Sequence, residues 1–476
     1  MALFQLISEV SIKMVFYGSL LILVVIKIFI NLFSAKVNNF TDLKKLIFTY
    51  LNSAKINFKN INLKRISFWY SGFLNVLVVV CIILLTLHFI DYAYNNYEYG
   101  FSDIIRHELI CGEIFSNQAF SDGYYPIGMH AIIGSVIYLF QLDAHFTFLV
   151  CGNLFVILFF IALYFWLKNI FQSKTAVTMV FLAFVLLTTT ILLQDVSQRV
   201  IYDGLHRFNW TLPQEMCLWA VFVSPICIMK ILKSKKTITH KTNIANFVML
   251  ALSVAITLCV HYYTTIFQFV TCLVTFLVYV NYLNKEKFKG FTVSVLSGIF
   301  IGSINLFIGL LSSGKFAWAL EWASDVPSGD SRVFDSIASV NVSEQNVDLL
   351  NNSNNIFMDF AYHIKAFYDD ALAPLFPGNW LTLFVVFMFL SLVVFVLLAI
   401  FRKNLFQNYL PIALSMIVFL ILYAAPVIGL PRLLESYRLV ICIYATLLAF
   451  CCVSFDVGIN LLKIKFQVQT NKKAGV

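Results

Sequence analysis

Two histidines and several acids lie close together in the sequence between residues 103 and 130, where a polar loop gives way to an apolar stretch. Segment 103–107 has the sequence DIIRH, and segment 121–130 has the sequence SDGYYPIGMH. Ionisable side chains near a lipid bilayer are energetically costly, so a chain that keeps a cluster of them there usually needs them for function. These two segments are therefore the first candidates for chemistry.

The first segment places Asp103 and His107 four residues apart, which puts both side chains on one face of a helix. Such a pair can share a divalent cation, Mg or Mn, or the aspartate can hold the imidazole in the tautomer that acts as a base. On this interpretation both are candidate catalytic residues and metal ligands. The same pattern also fits a structural role, in which Asp103 caps a short surface helix and His107 is solvated.

The second segment contains a stiff corner. Pro126 restricts Tyr125 to an extended conformation, so Asp122 and Tyr125 are held in place as candidate substrate-binding residues. His130 follows about one helical turn into the apolar stretch. It is either a third catalytic residue or a hydrogen-bonding residue between packed helices, and the sequence leaves both open.

The composition excludes a soluble protein. Hydrophobic residues make up 60% of the chain and charged residues 12%, whereas soluble domains carry about 25% charged residues. The net charge of +9 comes from lysines clustered beside apolar runs, which is the positive-inside pattern of membrane proteins and not a nucleic-acid-binding face. Most cysteines lie in apolar stretches and no CxxC pair occurs, so we expect neither disulfides nor a zinc site.

The sequence predicts an all-α, polytopic integral membrane helix bundle with about 11–13 transmembrane helices. Apolar runs of spanning length lie near 13–34, 67–90, 146–167, 175–193, 212–231, 244–262, 264–283, 291–312, 380–401, 406–428 and 438–455. Basic residues divide the chain into an N-terminal span with a cytoplasmic loop (1–66), the bundle (67–455) and a basic cytoplasmic tail (456–476). The expected external loops are 91–126, 194–211, 313–379 and 429–437, with short amphipathic helices near 103–115 and 359–372.

A shorter apolar run at 127–141 conflicts with the charge pattern. Lys168 and Lys174 favour a cytoplasmic position for their loop, which would place both ends of 127–141 outside. Either this segment is re-entrant, or it spans and the loop of Lys168 is external. Orientation follows the summed charge bias, and a single loop can disobey it, so we expect a true span.

Cationic residues in the expected external loops could bind phosphate. Arg207 lies in one loop, and Arg432 and Arg438 lie in another, where guanidinium groups can bind phosphate bidentately. His261 occupies the outer turn between two spans and is a further candidate substrate-binding residue. The structural alternatives are topological anchoring for the arginines and an ordinary interfacial position for His261.

The order of these features resembles a known family. An acid in the first large external loop, a short amphipathic helix and then Tyr-Tyr-Pro-x-Gly-x-His at the start of an apolar helix are similar to the GT-C superfamily of polyprenyl-phosphate-sugar-dependent glycosyltransferases. In particular, the chain is similar to the bacterial multi-spanning branch whose members carry Tyr-Pro-x-Gly-x-His after an Asp-x-x-x-His helix. The resemblance covers residues 99–135 and, more loosely, the span pattern of the whole chain.

The resemblance implies a catalytic carboxylate at the outer membrane face, which acts as a base or metal ligand while a sugar moves from a lipid phosphate to an acceptor. Asp103 matches that acid and His107 the polar position after it, with Asp91 as a rival for the acid. The corner of the motif maps onto Tyr125, Pro126, Gly128 and His130.

The resemblance thus implies a GT-C-like glycosyltransferase of the bacterial plasma membrane whose site faces outward. Its partners would be membrane lipid, a polyprenyl-phosphate sugar donor and a glycan or lipid-linked acceptor, with Mg or Mn as a cofactor and no nucleic acid. One alternative is an oligosaccharide polymerase or ligase of cell-surface glycan assembly, for which Arg432 and Arg438 would matter more than Asp103. Another is a transporter or flippase, which the scarcity of charges within the spans disfavours.

Overall fold

The computed structural model describes residues 63–95, 102–116, 126–192, 213–235, 240–313, 379–423 and 439–461. Within those ranges every regular element is a helix and none is a strand, as an all-α fold requires. The chain divides into two compact units, Met1–Tyr70 and Ser71–Val476. Apart from the first residues of the first helix, everything described below belongs to the second unit.

The helices are numbered here in chain order. They are α1 (Leu63–Asn95), α2 (Ser102–Phe115), α3 (Gly128–Phe140), α4 (Ala144–Ile170), α5 (Lys174–Leu192), α6 (Pro213–Cys217), α7 (Ala220–Lys233), α8 (Lys241–Val260), α9 (Tyr262–Tyr279), α10 (Lys285–Ser313), α11 (Asn379–Phe401), α12 (Lys403–Tyr423) and α13 (Val440–Cys451). A 3₁₀ turn, Val280–Tyr282, extends α9, and after Cys452 the helical path of α13 continues to Leu461.

Nine helices among the described residues are long and apolar enough to cross a membrane. They are Tyr70–Asp91, Ala144–Ile170, Pro213–Lys233, Lys241–Val260, Tyr262–Tyr282, Lys285–Leu311, Phe384–Phe401, Lys403–Tyr423 and Val440–Leu461. They agree with the predicted polytopic bundle. The predicted span 13–34 and amphipathic helix 359–372 lie outside the described residues, so the total number of spans stays a prediction.

Large apolar side chains cover the outside of several of these helices. Phe300 on α10 is 69% exposed, and Phe389 and Ile400 on α11 are 64% and 67% exposed. A water-soluble protein rarely exposes contiguous apolar surface of this kind, whereas lipid solvates it without cost. The exposed faces therefore fit a bundle that is surrounded by lipid.

The basic ends of several helices meet at one end of the bundle. Lys287, at the start of α10, donates from Nζ to the carbonyls of Leu232, Ser234 and Tyr282 at 2.8, 3.0 and 3.2 Å. Those carbonyls lie where α7 and the 3₁₀ turn after α9 end, so the ammonium group neutralises exposed helix C-termini. Lys233 Nζ in turn donates to Asn408 Oδ1 of α12 at 3.3 Å. We call this end, defined by Lys233, Lys287 and Asn408, the lysine end.

Two spans contain a proline, and α9 supplies a hydroxyl to each. Pro225 in α7 and Pro411 in α12 have no N–H, so the carbonyls four residues earlier lose their helical donors. Thr271 Oγ1 donates to the first of these carbonyls, that of Val221, at 2.7 Å. Tyr279 OH donates to the second, that of Gln407, at 3.4 Å. Both hydroxyls therefore satisfy groups that lipid could not.

A buried polar network joins α7, α8 and α9. Gln268 Nε2 donates to Ser224 Oγ at 2.6 Å and to Ser253 Oγ at 3.2 Å, and its Oε1 accepts from Thr257 Oγ1 at 2.6 Å. Each of these four side chains is at most 2% exposed. Hydrogen bonds between spans hold helices together in lipid. Apolar contacts alone favour this association little, because an apolar side chain is surrounded by apolar groups in lipid as well. The network therefore has a structural explanation.

Helix α3 does not carry the chain from one end of the bundle to the other. Its 13 residues extend about 20 Å, less than the roughly 30 Å of a hydrocarbon core. Gly128, at its start, packs on Cys259 near the end of α8, and α8 begins at the lysine end. The next helix, α4, starts beside α2 through the pair Glu108–His145 and runs to Ile170.

The far end of α4 is fixed at the lysine end. Asp456 of the α13 extension accepts from the backbone N–H of Gln172 and of Ser173, just after α4, and from the hydroxyl of Tyr409, next to Asn408. Both ends of 127–141 therefore lie opposite the lysine end. The expectation of a true span is wrong, and the loop of Lys168 and Lys174 obeys the charge rule after all. Apolar composition alone could not reveal this, because a short helix within the bundle is as apolar as a span.

Candidate functional site

Helix α2 directs a polar face toward the bundle. His107 is 7% exposed and Cys111, one turn later, is 4% exposed, whereas Leu109 is 63% exposed. The short helix predicted near 103–115 is confirmed, and its exposed side carries the apolar Leu109. The reason is that lipid accommodates a leucine as readily as a protein core does, so hydrophobicity does not show which face packs.

The two histidines of the sequence motifs are in direct contact. His107 Nδ1 and His130 Nε2 are 2.9 Å apart, and the ring centroids are 5.0 Å apart with planes inclined by 49°. His130 is fully buried near the start of α3. The histidines of the two sequence motifs therefore lie side by side. We call the end of the bundle that holds His130, His145 and His261 the histidine end.

Close packing holds α3 in position against its neighbours. Cys111 Sγ donates to the carbonyl of His130 at 3.2 Å, which joins α2 to the backbone of α3. A Cβ atom placed on Gly128 would lie 2.7 Å from the carbonyl oxygen and 2.9 Å from the carbonyl carbon of Cys259. Backbone atoms cannot yield as a flexible side chain can. Gly128 therefore allows α3 to approach α8 closely. This approach in turn fixes the position of His130, which lies in the first turn of α3.

Replacement of Gly128 by alanine is expected to lower the free energy of unfolding by about 1–3 kcal/mol, as overpacking of a tight contact does. The matched control is Gly112→Ala in α2, where an added Cβ meets nothing within 4 Å. That change should be neutral or stabilising by about 0.5–1 kcal/mol, since alanine favours a helix over glycine. Thermal unfolding of the purified protein in one detergent measures both, and equal effects would refute the packing role of Gly128.

The environment of His130 favours the neutral imidazole. Burial lowers its pKa well below the ordinary range, repulsion from His107 lowers it further, and the Ile127 carbonyl partly opposes the shift by stabilising a ring proton. In the tautomer that carries its proton on Nδ1, His130 accepts at Nε2 from Nδ1–H of His107. Nε2 of His107 is then an acceptor, which is the form needed in a base or a metal ligand.

A second histidine–acid pair ties α2 to α4. Glu108 Oε1 and His145 Nδ1 are 2.5 Å apart, and the two side chains are 22% and 20% exposed. Because Glu108 follows His107 directly, one turn of α2 contacts the starts of both α3 and α4. No local sequence pattern predicts this pair, because Glu108 and His145 are 37 residues apart.

A buried acid also lies at this end, on the short helix α6. Glu215 is 1% exposed and its neighbour Gln214 is fully buried. Met216 and Cys217, which follow them, belong to one apolar cluster with residues of α2, α3 and α8. Glu215 falls within the predicted span 212–231 and was not among the predicted site residues. The signal was present, because an acid inside an apolar run is rarely without a role.

His261 has a structural role at the junction of α8 and α9. Its Nδ1 accepts from the backbone N–H of Thr264 at 3.4 Å and lies 3.0 Å from Thr264 Oγ1, so the imidazole caps the start of α9. The ring is 8% exposed and lies 5.4 Å from that of Tyr263. His261 is thus at the histidine end with the pair, two residues after Cys259. Its capping contact favours the structural interpretation, and substrate binding by His261 stays a prediction.

The remaining candidates are only partly covered by the described residues. Asp103 lies in α2, one turn before His107, but its side chain is outside the description, and Asp91 lies exposed near the end of α1. Five predicted substrate-binding residues fall outside it altogether, namely Asp122, Tyr125, Arg207, Arg432 and Arg438. Among the side chains that the structure describes, no three His, Cys, Asp or Glu groups converge on a point where a metal ion could bind.

No family model matches this chain, and no curated protein matches it.

Proposed function

We propose that the protein is an integral membrane glycosyltransferase that moves a sugar from a polyprenyl-phosphate donor to a glycan or lipid-linked acceptor. The observation that supports this most is the 2.9 Å contact between His107 and His130, which unites the two halves of the motif. A buried, hydrogen-bonded imidazole pair next to an acid-bearing turn is an arrangement suited to proton transfer.

Proton removal from the acceptor hydroxyl is the step that these residues can perform. Asp103 precedes His107 by one turn, about 6 Å along the axis of α2, and residues at this spacing share one face of a helix. Asp103 would act as the base, and His107, oriented by His130, would accept or relay the proton. General base catalysis of this kind is worth about 10²–10⁴-fold in rate.

The same residues are compatible with a divalent cation. His130 contacts His107 at Nδ1 and so orients its imidazole, as a second partner does in metal sites that contain histidine. Asp103 and His107 would hold Mg or Mn, which would supply positive charge for the departing phosphate. Arg207, Arg432 and Arg438 would supply further positive charge from the loops.

The position of the site in the bundle supports an outward orientation. The histidine pair lies opposite the lysine end, and the positive-inside rule places lysine-rich ends in the cytoplasm. A polyprenyl-phosphate sugar presented in the outer leaflet would then reach the site directly from the membrane. The proposed location is the bacterial plasma membrane, with transfer at its external face.

Turnover by the full-length protein in proteoliposomes tests the proposal, with a panel of polyprenyl-phosphate monosaccharides as donors. Asp103→Asn is expected to lower the rate by about 10²–10⁴-fold, since it removes the base and keeps the shape. The control is Asp91→Asn, the same chemical change on the exposed end of α1. Full activity of the Asp103 variant would disprove the assignment, and loss in the Asp91 variant alone would transfer it to Asp91. Activity only with diphosphate-linked oligosaccharides would favour a polymerase or ligase.

A further inference from the structure

A cavity opens at the lysine end, remote from the histidine pair. It has a volume of about 590 Å³ and lies between the end of α4, the end of α7 and the start of α8. Its polar lining includes Lys230, Lys233, Asn169, Thr242, Asn243 and Asn246. The 20 residues of α8 separate this cavity from the histidine end by about 30 Å, so it is a different site.

We propose that this cavity binds the phosphate headgroup of an anionic lipid from the cytoplasmic leaflet. The proposal does not depend on the transfer activity proposed above, because it rests on other residues at the other end of the bundle.

The charge of the lining favours an anion. Lys230 and Lys233 are three residues apart on α7 and therefore line the same side of the helix. The described residues that line the cavity include no aspartate or glutamate to neutralise them. The amide groups of Asn246 and Asn169 add N–H donors of the kind that phosphate oxygens accept, and Asn169 Nδ2 also donates to the Phe165 carbonyl at 2.7 Å.

Lys233 is held in place before any ligand arrives. Its Nζ donates to Asn408 Oδ1 at 3.3 Å and lies 4.3 Å from the centre of the Tyr279 ring. An ammonium group has three N–H donors, so these contacts do not exhaust its capacity. A fixed cation loses less side-chain entropy on binding than a mobile one does.

The depth of the cavity favours a lipid over a soluble phosphate. Two candidate spans, Ala144–Ile170 and Pro213–Lys233, end at the cavity, and a third, Lys241–Val260, begins there. Helix termini of this kind lie at the level of the headgroups, and basic pockets between spans on the cytoplasmic side recognise anionic lipid headgroups. The volume is within the range of about 300–1,000 Å³ that small-molecule sites occupy.

Lipid binding by the full-length protein in a neutral detergent tests the inference. Native mass spectrometry counts bound phosphatidylglycerol, with phosphatidylcholine and inorganic phosphate as comparison ligands. We expect one saturable phosphatidylglycerol site that phosphatidylcholine does not fill. The Lys230→Gln/Lys233→Gln variant should bind at least roughly tenfold more weakly, because each lysine near a membrane surface contributes on the order of fivefold in affinity.

A matched variant separates this cavity from general surface charge. Lys235→Gln/Lys241→Gln removes the same two charges from exposed positions that do not line the cavity, and it should bind like the unmodified protein. Asn246→Leu keeps the charge and fills the cavity, so it should also weaken binding, even if the lysine variant proves poorly folded. Equal losses in both lysine pairs, absence of a saturable site, or equal competition by inorganic phosphate would each overturn the proposal.

Discussion

Loss of either imidazole of the His107–His130 pair should slow the proposed sugar transfer by about 100-fold or more, and loss of both should slow it hardly more than loss of one. The reason is the 2.9 Å contact between His107 Nδ1 and His130 Nε2, through which the buried ring of His130 orients the ring of His107. Residues that act as one unit lose their effect together, so their free-energy contributions do not add.

Turnover of His107→Gln, His130→Gln and the double variant in proteoliposomes measures this coupling. His240→Gln is the control, since that histidine is exposed at the start of α8, at the opposite end from the pair, and should leave turnover unchanged. If the two single effects instead multiply in the double variant, the histidines act independently and the 2.9 Å contact has no role in the reaction.

Replacement of Asp456 by alanine should destabilise the protein by roughly 3 kcal/mol without a direct effect on the histidine pair. Its fully buried carboxyl group accepts from Gln172 N–H at 2.9 Å, from Ser173 N–H at 2.7 Å and from Tyr409 OH at 2.5 Å. Removal of these acceptors leaves backbone donors unsatisfied, at about 1–3 kcal/mol for each buried one.

Tyr409→Phe provides the comparison, because it removes one donor and leaves both backbone N–H groups bonded to Asp456. It should cost only about 1 kcal/mol, a typical value for one hydrogen bond. Thermal unfolding in a single detergent compares the free energies of unfolding of the two variants. Equal losses in both would show that the carboxyl serves mainly the tyrosine and not the junction of α4 and α5.

Local patterns in the sequence predicted the helices and marked His107 and His130 as site residues, but they did not predict the contact between these two histidines. The four-residue spacing of Asp103 and His107 correctly placed them on one helix, and the long apolar runs that lie within the described residues correspond to long helices. The contact between His107 and His130 joins two motifs that the sequence already marked, although only tertiary packing could bring them to hydrogen-bonding distance.

Other contacts cannot be predicted from local sequence patterns. Glu108 and His145 are 37 residues apart, and Asp456 is 284 residues from Gln172, so each pair depends on how the helices pack. The short helix α3 was mistaken for a span for a related reason. Some of its apolar residues are buried against other helices and some are exposed. Hydropathy is equally high for both groups, so it does not distinguish a short packed helix from a span.

The two prolines have a consequence for the order in which the bundle can be assembled. Helix α7 leaves the ribosome before α9, so the Val221 carbonyl that Pro225 exposes has to wait for the hydroxyl of Thr271. Helix α12 follows α9, so the Gln407 carbonyl meets a hydroxyl that is already in the membrane. During biosynthesis α9 thus supplies the missing hydrogen bond to α7, which is made before it, and to α12, which is made after it.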